Sequence, residues 1–451
     1  MKVIKSEEFD AYWKKEKRKS DDPGTDNKVR NIIEEVRAKG DAAVRKFASK
    51  YDKSSPMQLE VPVTEANLAL EELRANDPEL TQALALAANN IMRFAQKQKE
   101  QYVNFEHEMA DGVITGQKVI PVQRAAIYIP GGRFPLFSSV LMGMIPAFCA
   151  GVEEVLLSSP PAENGKPDKK ILAAAAIAAE VSDNKTMRIF SVGGAQAIAA
   201  FALGTESIPR ADIIAGPGNK YVAAAKRILF GEAGIDFIAG PSDVLIISDP
   251  QSSQVDSESN IDGLKENEIG ANLVAADMLA QAEHDPDARA RALVPNRVFA
   301  DKINAVIERM ILALPTKKIA RSSINSGGVI IVYKSKNEAI RIANTIAPEH
   351  LELHLTDADS WIPSLKNYGS LFIGQLSAEV FGDYAAGLNH TLPTSGSSKF
   401  TGGLSVHNFL KIVTTLNCSP GKGFDKVRGA AEIIGRAEGL EGHVQSAACR
   451  R

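Results

Sequence analysis

Cysteine is scarce in this chain: Cys149, Cys418 and Cys449 are the three thiols among 451 residues. Their number is odd and their spacing is wide, which fits neither a disulfide framework nor a CxxC metal-binding knuckle. The sequence therefore predicts buried or incidental thiols, and it favours nitrogen and oxygen ligands for any metal ion.

Long apolar runs are also missing. The longest weakly polar stretches, such as residues 171–181, are well short of the roughly 20 apolar residues that a membrane-spanning helix requires. Residues 1–20 are rich in Lys and Glu and contain no apolar run, so we expect neither a secretory signal nor a transit peptide. These absences predict a cytoplasmic protein without a membrane partner.

The sequence has no strong excess of charge of either sign. The 52 Lys and Arg residues nearly offset the 55 Asp and Glu residues, for a formal charge of −3, and no basic stripe alternates with aromatic residues. Nucleic acid is therefore not an expected partner. With 44% hydrophobic and 24% charged residues, the composition is that of a globular protein, and the length favours two to four domains.

The order of predicted elements indicates an α/β fold. Helical periodicity dominates residues 26–101, and short β-branched runs then alternate with Ala-rich helical runs between residues 125 and 231, which is the pattern of a mostly parallel sheet. In such sheets, ligands gather at the carboxyl ends of the strands. The predicted divisions are an N-terminal helical segment (1–25), a discontinuous first α/β domain (26–118 plus 240–385), a second, cofactor-binding α/β domain (119–239) and a C-terminal tail and dimerisation region (386–451).

Four residues could together hold a metal ion. Gln281 and His284 are three residues apart at the C-terminal end of a predicted helix, so both side chains project from one face. Asp383 lies in a loop-like segment with nearby glycines, and His443 lies in the polar C-terminal tail. Taken singly, each has an ordinary alternative: an exposed helix-end histidine, a turn-capping aspartate or a solvated tail histidine. Together they form a nitrogen and oxygen set that suits zinc or a related divalent ion.

Glu349 and His350 place an acid and a base side by side at the start of a predicted strand. Neighbouring strand residues point to opposite faces, but at a strand end or bend both can reach one cavity. A histidine can take a proton from an alcohol, and a glutamate can activate water for attack on an aldehyde. The alternative is a helix-to-strand junction whose polar residues face solvent.

The GxGxxG turn of a Rossmann nucleotide site occurs nowhere in the sequence. Three other glycine-rich turns follow predicted strands and precede helices, at residues 129–132, 192–196 and 215–219. Glycines at these places let backbone amides and helix N-termini approach an anion, so three such turns at one sheet edge could form a continuous ligand shelf. Glycine is, however, common in the strand-to-helix turns of any α/β protein.

Eight sequence blocks, taken in order, resemble the histidinol dehydrogenase family. The resemblance covers roughly residues 26–443, and eight blocks in the family's order are far more specific than any one of them. They are YIPGG (128–132), GGAQAI (193–198), AGPGNKYV (215–222), AGPSD (239–243), QAEHD (281–285), APEHLE (347–352), GDYAAGLNH (382–390) and EGLEGH (438–443).

The resemblance implies a zinc-dependent homodimer that oxidises L-histidinol through L-histidinal to L-histidine with two NAD per turnover. It also implies a fold of two incomplete Rossmann-like domains and an extended C-terminal dimerisation tail that exchanges between protomers. His350 is then the general base of both oxidations, and Glu349 activates the water that hydrates the aldehyde. The other implied sites are zinc ligands at Gln281, His284, Asp383 and His443, the last of these supplied by the partner subunit; substrate contacts at Ser242, His390 and Glu438, as well as at Glu349 and the zinc ligands; and NAD contacts at Tyr128, Gln196 and Asn219.

Several residues depart from the family pattern. Arg133 follows the first glycine-rich turn where small residues are usual, Asp243 stands where Glu is usual, and Asp285 stands where Gly is usual. The polar stretch 249–267, predicted to be a surface loop, is longer than the family's connection. A related dehydrogenase acting on another small alcohol, such as a sulfopropanediol, is therefore the first alternative, and Arg133 could pair with an anionic group of that substrate or of the cofactor. The alternatives from other classes are a non-catalytic zinc- or nucleotide-binding protein and a zinc hydrolase.

Overall fold

The computed structural model describes residues 1–17, 23–52, 54, 56, 58–131, 135–183, 185–238, 240–250 and 269–450. Arg133 and most of the predicted surface loop, from residue 251 onward, lie outside these residues. Two six-stranded sheets and one three-stranded sheet are present in the described ranges, and no helix there is long and apolar enough to cross a membrane.

The strands and helices follow one another along the whole chain. The strands are β1 (Lys2–Lys5), β2 (Glu60–Val61), β3 (Phe105–Ala110), β4 (Val113–Pro121), β5 (Arg124–Tyr128), β6 (Glu154–Ser159), β7 (Met187–Ser191), β8 (Ile213–Ala215), β9 (Gly234–Ile235), β10 (Asp243–Ser248), β11 (Arg289–Val294), β12 (Val329–Val332), β13 (His350–His354), β14 (Ser370–Ile373) and β15 (Leu410–Cys418). The α-helices are α1 (Phe9–Lys17), α2 (Pro23–Tyr51), α3 (Val63–Asn76), α4 (Pro78–Lys99), α5 (Ser138–Ala150), α6 (Lys169–Val181), α7 (Gly194–Leu203), α8 (Lys220–Leu229), α9 (Ile269–Ala282), α10 (Arg297–Met310), α11 (Lys317–Gly327), α12 (Lys336–Ile346), α13 (Ala358–Trp361), α14 (Glu379–Tyr384), α15 (Lys422–Ala437) and α16 (Glu441–Ala448).

The first large sheet, sheet I, has the strand order β1-β12-β11-β10-β13-β14, and every neighbouring pair is parallel. Helices cover both faces, so its central strands are apolar on both sides. On β10, Val244 and Ile246 join a core with α9, α10 and α11, whereas Leu245 and Ile247 join a core with α12 and α13.

The second large sheet, sheet II, has the order β2-β7-β6-β5-β8-β9. Its pairs are parallel except that β2 is antiparallel to β7. One face packs against α2, α7 and α8, and the other packs against α3, α4, α5 and α6. Each large sheet is thus a layer between two layers of helices, as expected for an α/β fold.

The helices before residue 100 cover sheet II. Leu70 of α3 and Ile91 of α4 share a core with Ile127 of β5, and Val29 of α2 shares the other core. This packing differs from the predicted division, which grouped residues 26–118 with residues 240–385. The apolar stripe of an amphipathic helix does not specify which sheet it covers, so periodicity alone could not make this choice.

The chain begins with a strand. Residues 1–25 were expected to be a helical segment, but β1 pairs with β12 at the edge of sheet I before α1 begins. Lys2 and Lys5 flank Val3 and Ile4 in this strand, and such a short, charged run resembles a helix start more than a strand. Pairing with β12 decides its conformation.

The C-terminal residues form a projecting arm, which we define as β15, α15 and α16 together with the β3–β4 hairpin that they contact. Strand β15 pairs antiparallel with β4 along its whole length, from Leu410 opposite Pro121 to Cys418 opposite Val113. The sequence predicted a helix near residues 426–438, which α15 confirms, but it did not predict β15. Most of β15 is exposed on both faces, so its sequence lacks the alternation that marks a half-buried strand.

We predict that Gly216→Ala lowers the thermal stability of the protein. Gly216 has φ +116°, and a Cβ there would lie 2.1 Å from the backbone oxygen of Tyr128, so the variant combines backbone strain with a collision between main-chain atoms. Strain alone costs about 1–3 kcal/mol. Gly231→Ala is the matched control, because Gly231 has φ +107° with nothing within 4 Å of the new Cβ. Thermal unfolding should rank wild type, Gly231→Ala and Gly216→Ala in falling order; equal loss in both variants would contradict the collision.

Candidate active site

The polar face of β13 forms one wall of the candidate site. His350, Glu352 and His354 alternate along this strand with Leu351 and Leu353, so the two sets point to opposite faces. The leucines belong to an apolar core, whereas the three polar residues have at most 4% of their surface exposed. Because β13 is a central strand, these polar groups are enclosed by protein and need polar or charged partners.

Glu349 is held at the start of β13 by a reciprocal contact with Asp243 at the start of β10. The Asp243 N–H donates to Glu349 Oε2 at 3.0 Å, and the Glu349 N–H donates to Asp243 Oδ1 at 3.0 Å. The fully buried Arg291 contacts the other Asp243 oxygen at 2.7 Å. Asp243, a departure from the family pattern, therefore fixes the direction of the Glu349 carboxyl group.

Burial raises the pKa of Glu349 to about 8, and the Asp243 and Asp383 carboxylates add to the rise while His350 opposes it. A carboxyl group that titrates near neutrality can exchange a proton with water under ordinary conditions. Glu349 therefore has the acidity expected of a general base that activates water.

His350 lies between two carboxylates. Its Nδ1 atom is 3.5 Å from Glu379 Oε2, and its Nε2 atom is 3.4 Å from Asp383 Oδ1. Burial disfavours the charged ring, but Glu379, Asp383 and Glu349 outweigh burial and raise the pKa of His350 well above its usual value. The carboxylates on both sides thus stabilise the imidazolium form of His350.

Asp383 and His284 lie near His350, and Gln281 is one helical turn from His284. Gln281 is in the last turn of α9, and its buried Oε1 atom accepts no hydrogen bond from the described residues. His284, just past the end of α9, is exposed, yet the protein atoms around its ring lower its pKa, as do His350 and His390, although Asp383 opposes this. Burial would raise the pKa of Asp383, but His350, His390 and His284 lower it. A free amide oxygen, a neutral imidazole and an ionised carboxylate fit the requirements of a divalent metal ion.

His390 joins the two large sheets at this site. Its Nε2 atom is 2.7 Å from Ser139 Oγ in the first turn of α5, and its Nδ1 atom is 2.8 Å from the backbone oxygen of Asp383. Helix α5 follows strand β5 of sheet II, whereas Asp383 is in α14, which follows strand β14 of sheet I. The contact brings the glycine-rich edge of sheet II next to the cluster around His350.

The cluster lies at the amino ends of β10 and β13. The cluster therefore lies at the edge of sheet I opposite to the carboxyl edge at which ligands commonly gather in parallel sheets. Helix α9 connects β10 to β11, which are parallel neighbours, so it runs back against the strands. Its C-terminal residues Gln281 and His284 consequently reach the amino edge of the sheet.

Two residues of the predicted site lie apart from this cluster in the single chain. Glu438 follows α15, His443 is in α16, and both are exposed on the arm. Ser242 is partly buried immediately before Asp243. The structure therefore brings together Glu349, His350, His284, Asp383 and His390, with Gln281 one helical turn from His284, and leaves Glu438 and His443 on a surface that another chain can contact.

Two of the three predicted cofactor contacts are buried. Tyr128 and Gln196 have 3% and 1% of their surface exposed, and the Tyr128 hydroxyl accepts the Gly194 N–H at 3.0 Å. Burial raises the pKa of Asp52 to about 6, while hydrogen bonds from the Gly193 backbone and the Gln196 side chain oppose the rise. Tyr128 and Asp52 thus stabilise the second glycine-rich turn through hydrogen bonds with its backbone.

The third glycine-rich turn is also satisfied from within the protein. The Gly216 N–H donates to Asp236 Oδ2 at 2.8 Å, and the side-chain oxygen of Asn219 accepts the Tyr221 and Val222 N–H groups of α8 at 2.9 and 3.2 Å. The amides of Gly194, Gly216, Tyr221 and Val222 already have acceptors within the protein, so they are not free to bind an anion. Asn219 itself remains exposed.

Sequence reasoning missed several buried residues of the site. Glu379 lies one turn before Asp383 on α14 and faces His350, but it belongs to no sequence motif that would have predicted this role. Glu352 and His354 carried a usable signal, since polar residues that alternate with leucine in a central strand must face something polar. Asp277 carried one too, because it is four residues before Gln281 on the same face of α9.

We predict that Arg291→Met destabilises the fold, because it leaves Asp243 as an unpaired buried charge. Removing one partner of such a pair costs about 3–5 kcal/mol. Adding Asp243→Asn to Arg291→Met should recover part of the loss, since no buried charge is then left alone. Arg297→Met is the control: its pair with Asp301 is 65% and 55% exposed, so at most about 1 kcal/mol is expected. Chemical unfolding measures all four proteins; a loss no larger for Arg291→Met than for Arg297→Met would contradict the role of this pair.

Comparison with known proteins agrees with the residue blocks and with the fold. The family model of histidinol dehydrogenase matches residues 15–451. Histidinol dehydrogenase from Aquifex aeolicus (strain VF5) is 42% identical over 425 residues, covering 94% of this chain and 92% of that protein. The enzyme from Pseudomonas syringae pv. syringae (strain B728a) is 40% identical over 432 residues, covering 95% and 90%. The crystal structure of histidinol dehydrogenase from Elizabethkingia anophelis superimposes with a TM-score of 0.84 at 34% identity, covering 96% of this chain and 92% of that one. On these grounds, the chain belongs to the histidinol dehydrogenase family.

Proposed function

We propose that this protein oxidises L-histidinol through L-histidinal to L-histidine, transferring two hydrides to two NAD molecules, as a step of histidine biosynthesis. The observation that carries the proposal is the buried Glu349–His350 pair, whose two groups interact electrostatically and have a metal-compatible set beside them. A structural metal site has no need of such an acid and base. Family membership supports the choice of substrate.

His350 is the proposed general base for both oxidations. In the first step the alcohol O–H proton moves to His350 as the carbon-bound hydrogen leaves as hydride to NAD. The carboxylates of Glu379 and Asp383, at 3.5 and 3.4 Å from the ring, stabilise the imidazolium that forms. In the second oxidation a hydroxyl proton of the hydrated aldehyde takes the same path.

Glu349 is the proposed base for the water step between the two oxidations. Its carboxylate takes a proton from water as the water oxygen bonds to the aldehyde carbon, and the carbonyl oxygen takes the proton that His350 received in the first oxidation. The product is the hydrate that is oxidised next. The contact with Asp243 and the support of Arg291 hold the carboxyl group in place. Placing Glu349 and His350 in consecutive positions at a strand start lets both act on one substrate without its release.

The proposed metal ion is zinc, one per subunit, held by Gln281, His284, Asp383 and His443. When bound, it supplies a positive charge that orients the polar groups of the substrate. We propose that His443 comes from the partner subunit of a homodimer, because it is exposed on the projecting arm while the other three positions lie together. Ser242, His390 and Glu438 are the proposed further substrate contacts.

Tyr128, Gln196 and Asn219 are the proposed NAD contacts. The first two shape the second glycine-rich turn from inside, and the exposed Asn219 is available to the cofactor directly. Since several amides of these turns are already bonded within the protein, we propose that side chains contribute more to NAD binding here than an open row of amides. We further propose two Rossmann-like halves, a dimerisation tail and a cytoplasmic location.

We predict about two NADH formed per L-histidinol consumed, as a four-electron oxidation requires, with loss of turnover on zinc chelation and in His350→Gln. Absorbance of NADH measures the reaction, and calorimetry with NAD measures binding. Chelation should abolish turnover but leave NAD binding in place, which a zinc hydrolase would not show. Turnover of a sulfopropanediol with no turnover of L-histidinol would instead assign the chain to a related dehydrogenase, and NAD binding without any turnover would mark a non-catalytic protein.

The aldehyde step should depend on pH in a defined direction. Because the pKa of Glu349 is raised to about 8, its basic form becomes available as the pH rises through that value, so the rate of L-histidinal oxidation should rise up to about pH 8 and then level off. Glu349→Gln should lower this step by about 10²–10⁴-fold while the alcohol step continues. NADH formation from L-histidinal across a pH series checks this, and a rate that falls with rising pH would refute the role of Glu349.

A further inference from the structure

Asp277, Glu352 and His354 form a second buried cluster, which we name the inner set. One carboxylate oxygen of each acid and one ring nitrogen of His354 lie within 4.8 Å of one another. The exposed fractions of the three residues are 8%, 0% and 0%. His354 Nε2 is 3.2 Å from Glu352 Oε2 and 3.7 Å from Asp277 Oδ2. The proposed chemistry uses none of these residues, although Glu352 and His354 share the strand face of His350.

Glu352 connects the inner set to the candidate base. One of its oxygens, Oε2, faces His354, while the other, Oε1, accepts the backbone N–H of Glu379 at 2.9 Å. This amide is the first in helix α14, where helical geometry leaves the N–H groups without intrahelical acceptors. Glu379 Oε2 is in turn 3.5 Å from His350 Nδ1. Two contacts therefore separate Glu352 from His350.

Asp277 and His354 surround the Oε2 atom of Glu352. Burial, followed by the charge of Glu352, raises the pKa of Asp277 to about 9, which favours a protonated Asp277 beside Glu352. His354 approaches the same carboxyl group at its Oε2 atom. With these neighbours around Oε2, Oε1 remains directed at the start of α14.

We propose that Glu352 is a positioning residue for His350: it fixes the first amide of α14 and thereby keeps the Glu379 carboxylate against His350 Nδ1. The inference rests on the proposed function, because it takes His350 as the general base. A carboxylate beside Nδ1 favours the ring form that carries its proton on that atom, and such outer partners orient a functional histidine.

Two substitutions at Glu352 separate the hydrogen-bond role from the effect of charge. Glu352→Gln keeps an oxygen acceptor at the same reach and removes the charge, whereas Glu352→Asp keeps the charge but shortens the side chain away from the Glu379 amide. We expect Glu352→Asp to lower kcat about 10–100-fold, the range typical of outer-partner changes, with little change in KM for L-histidinol. Glu352→Gln should retain most of the wild-type kcat. The opposite order would overturn the proposal.

A neighbouring variant and a metal assay complete the test. His354→Gln changes the same strand face but keeps Asp277 beside Glu352, so the Glu352–Glu379 contact should persist. We expect a lower melting temperature with kcat near wild type; an equal kcat loss in His354→Gln and Glu352→Asp would overturn the proposal as a general packing effect. A metal ion that is present in the wild type and lost in both Glu352→Gln and His354→Gln would also overturn the proposal, in favour of a cation bound by the inner set.

The same assays separate this inference from the proposed function. A wild type that does not oxidise L-histidinol rejects the proposed function, whereas an active wild type with an unimpaired Glu352→Asp variant rejects only this inference.

Discussion

Neutralisation of buried negative charge is the constraint on which this site depends. Glu349, Glu352, Glu379 and Asp383 have at most 9% of their surface exposed, and their charges would repel one another strongly at low dielectric. Several contacts offset this negative charge. Arg291 pairs with Asp243, backbone N–H groups donate to Glu349 and Glu352, and His350 lies between Glu379 and Asp383. Burial raises the pKa values of Glu349 and Asp277, which favours their protonated forms, whereas the His350 ring opposes the rise at Glu379.

The direction of α9 explains why such a set can assemble on a parallel sheet. A crossover helix runs opposite to the strands it connects, so its carboxyl end reaches their amino ends. Asp277 and Gln281 are one turn apart on α9, and His354 and His350 are four residues apart on β13 in the opposite order. The helix and the strand therefore each place one polar residue at the amino edge of the sheet, Gln281 and His350, and one deeper in the sheet, Asp277 and His354.

The arm leaves several large apolar side chains exposed in the single chain. Leu416, Ile433 and Ile434 on it have 68%, 68% and 58% of their surface exposed, and apolar residues grouped on a projecting element are typical of a contact surface. The same element carries Glu438 and His443. A second chain that covers these apolar side chains would bring those two polar residues into an environment that one chain does not provide, in keeping with the proposed homodimer.

The sequence alone determined the fold class, the family and most of the strands and helices of the two sheets. β-Branched and Ala-rich runs have local periodicity, and blocks such as APEHLE and GDYAAGLNH are short enough to be recognised as they stand. It also indicated Gln281 with His284 and Glu349 with His350, because the members of each pair are neighbours along the chain.

Only the tertiary structure decided what depends on contacts between distant segments. It assigned α2, α3 and α4 to sheet II, paired β15 with β4, satisfied the amides of Gly194 and Gly216, and placed Glu379 against His350. A helix stripe, an exposed strand or a lone glutamate has the same local sequence whatever it touches. Its partner is therefore fixed by the burial of apolar surface and the pairing of charge across the whole chain.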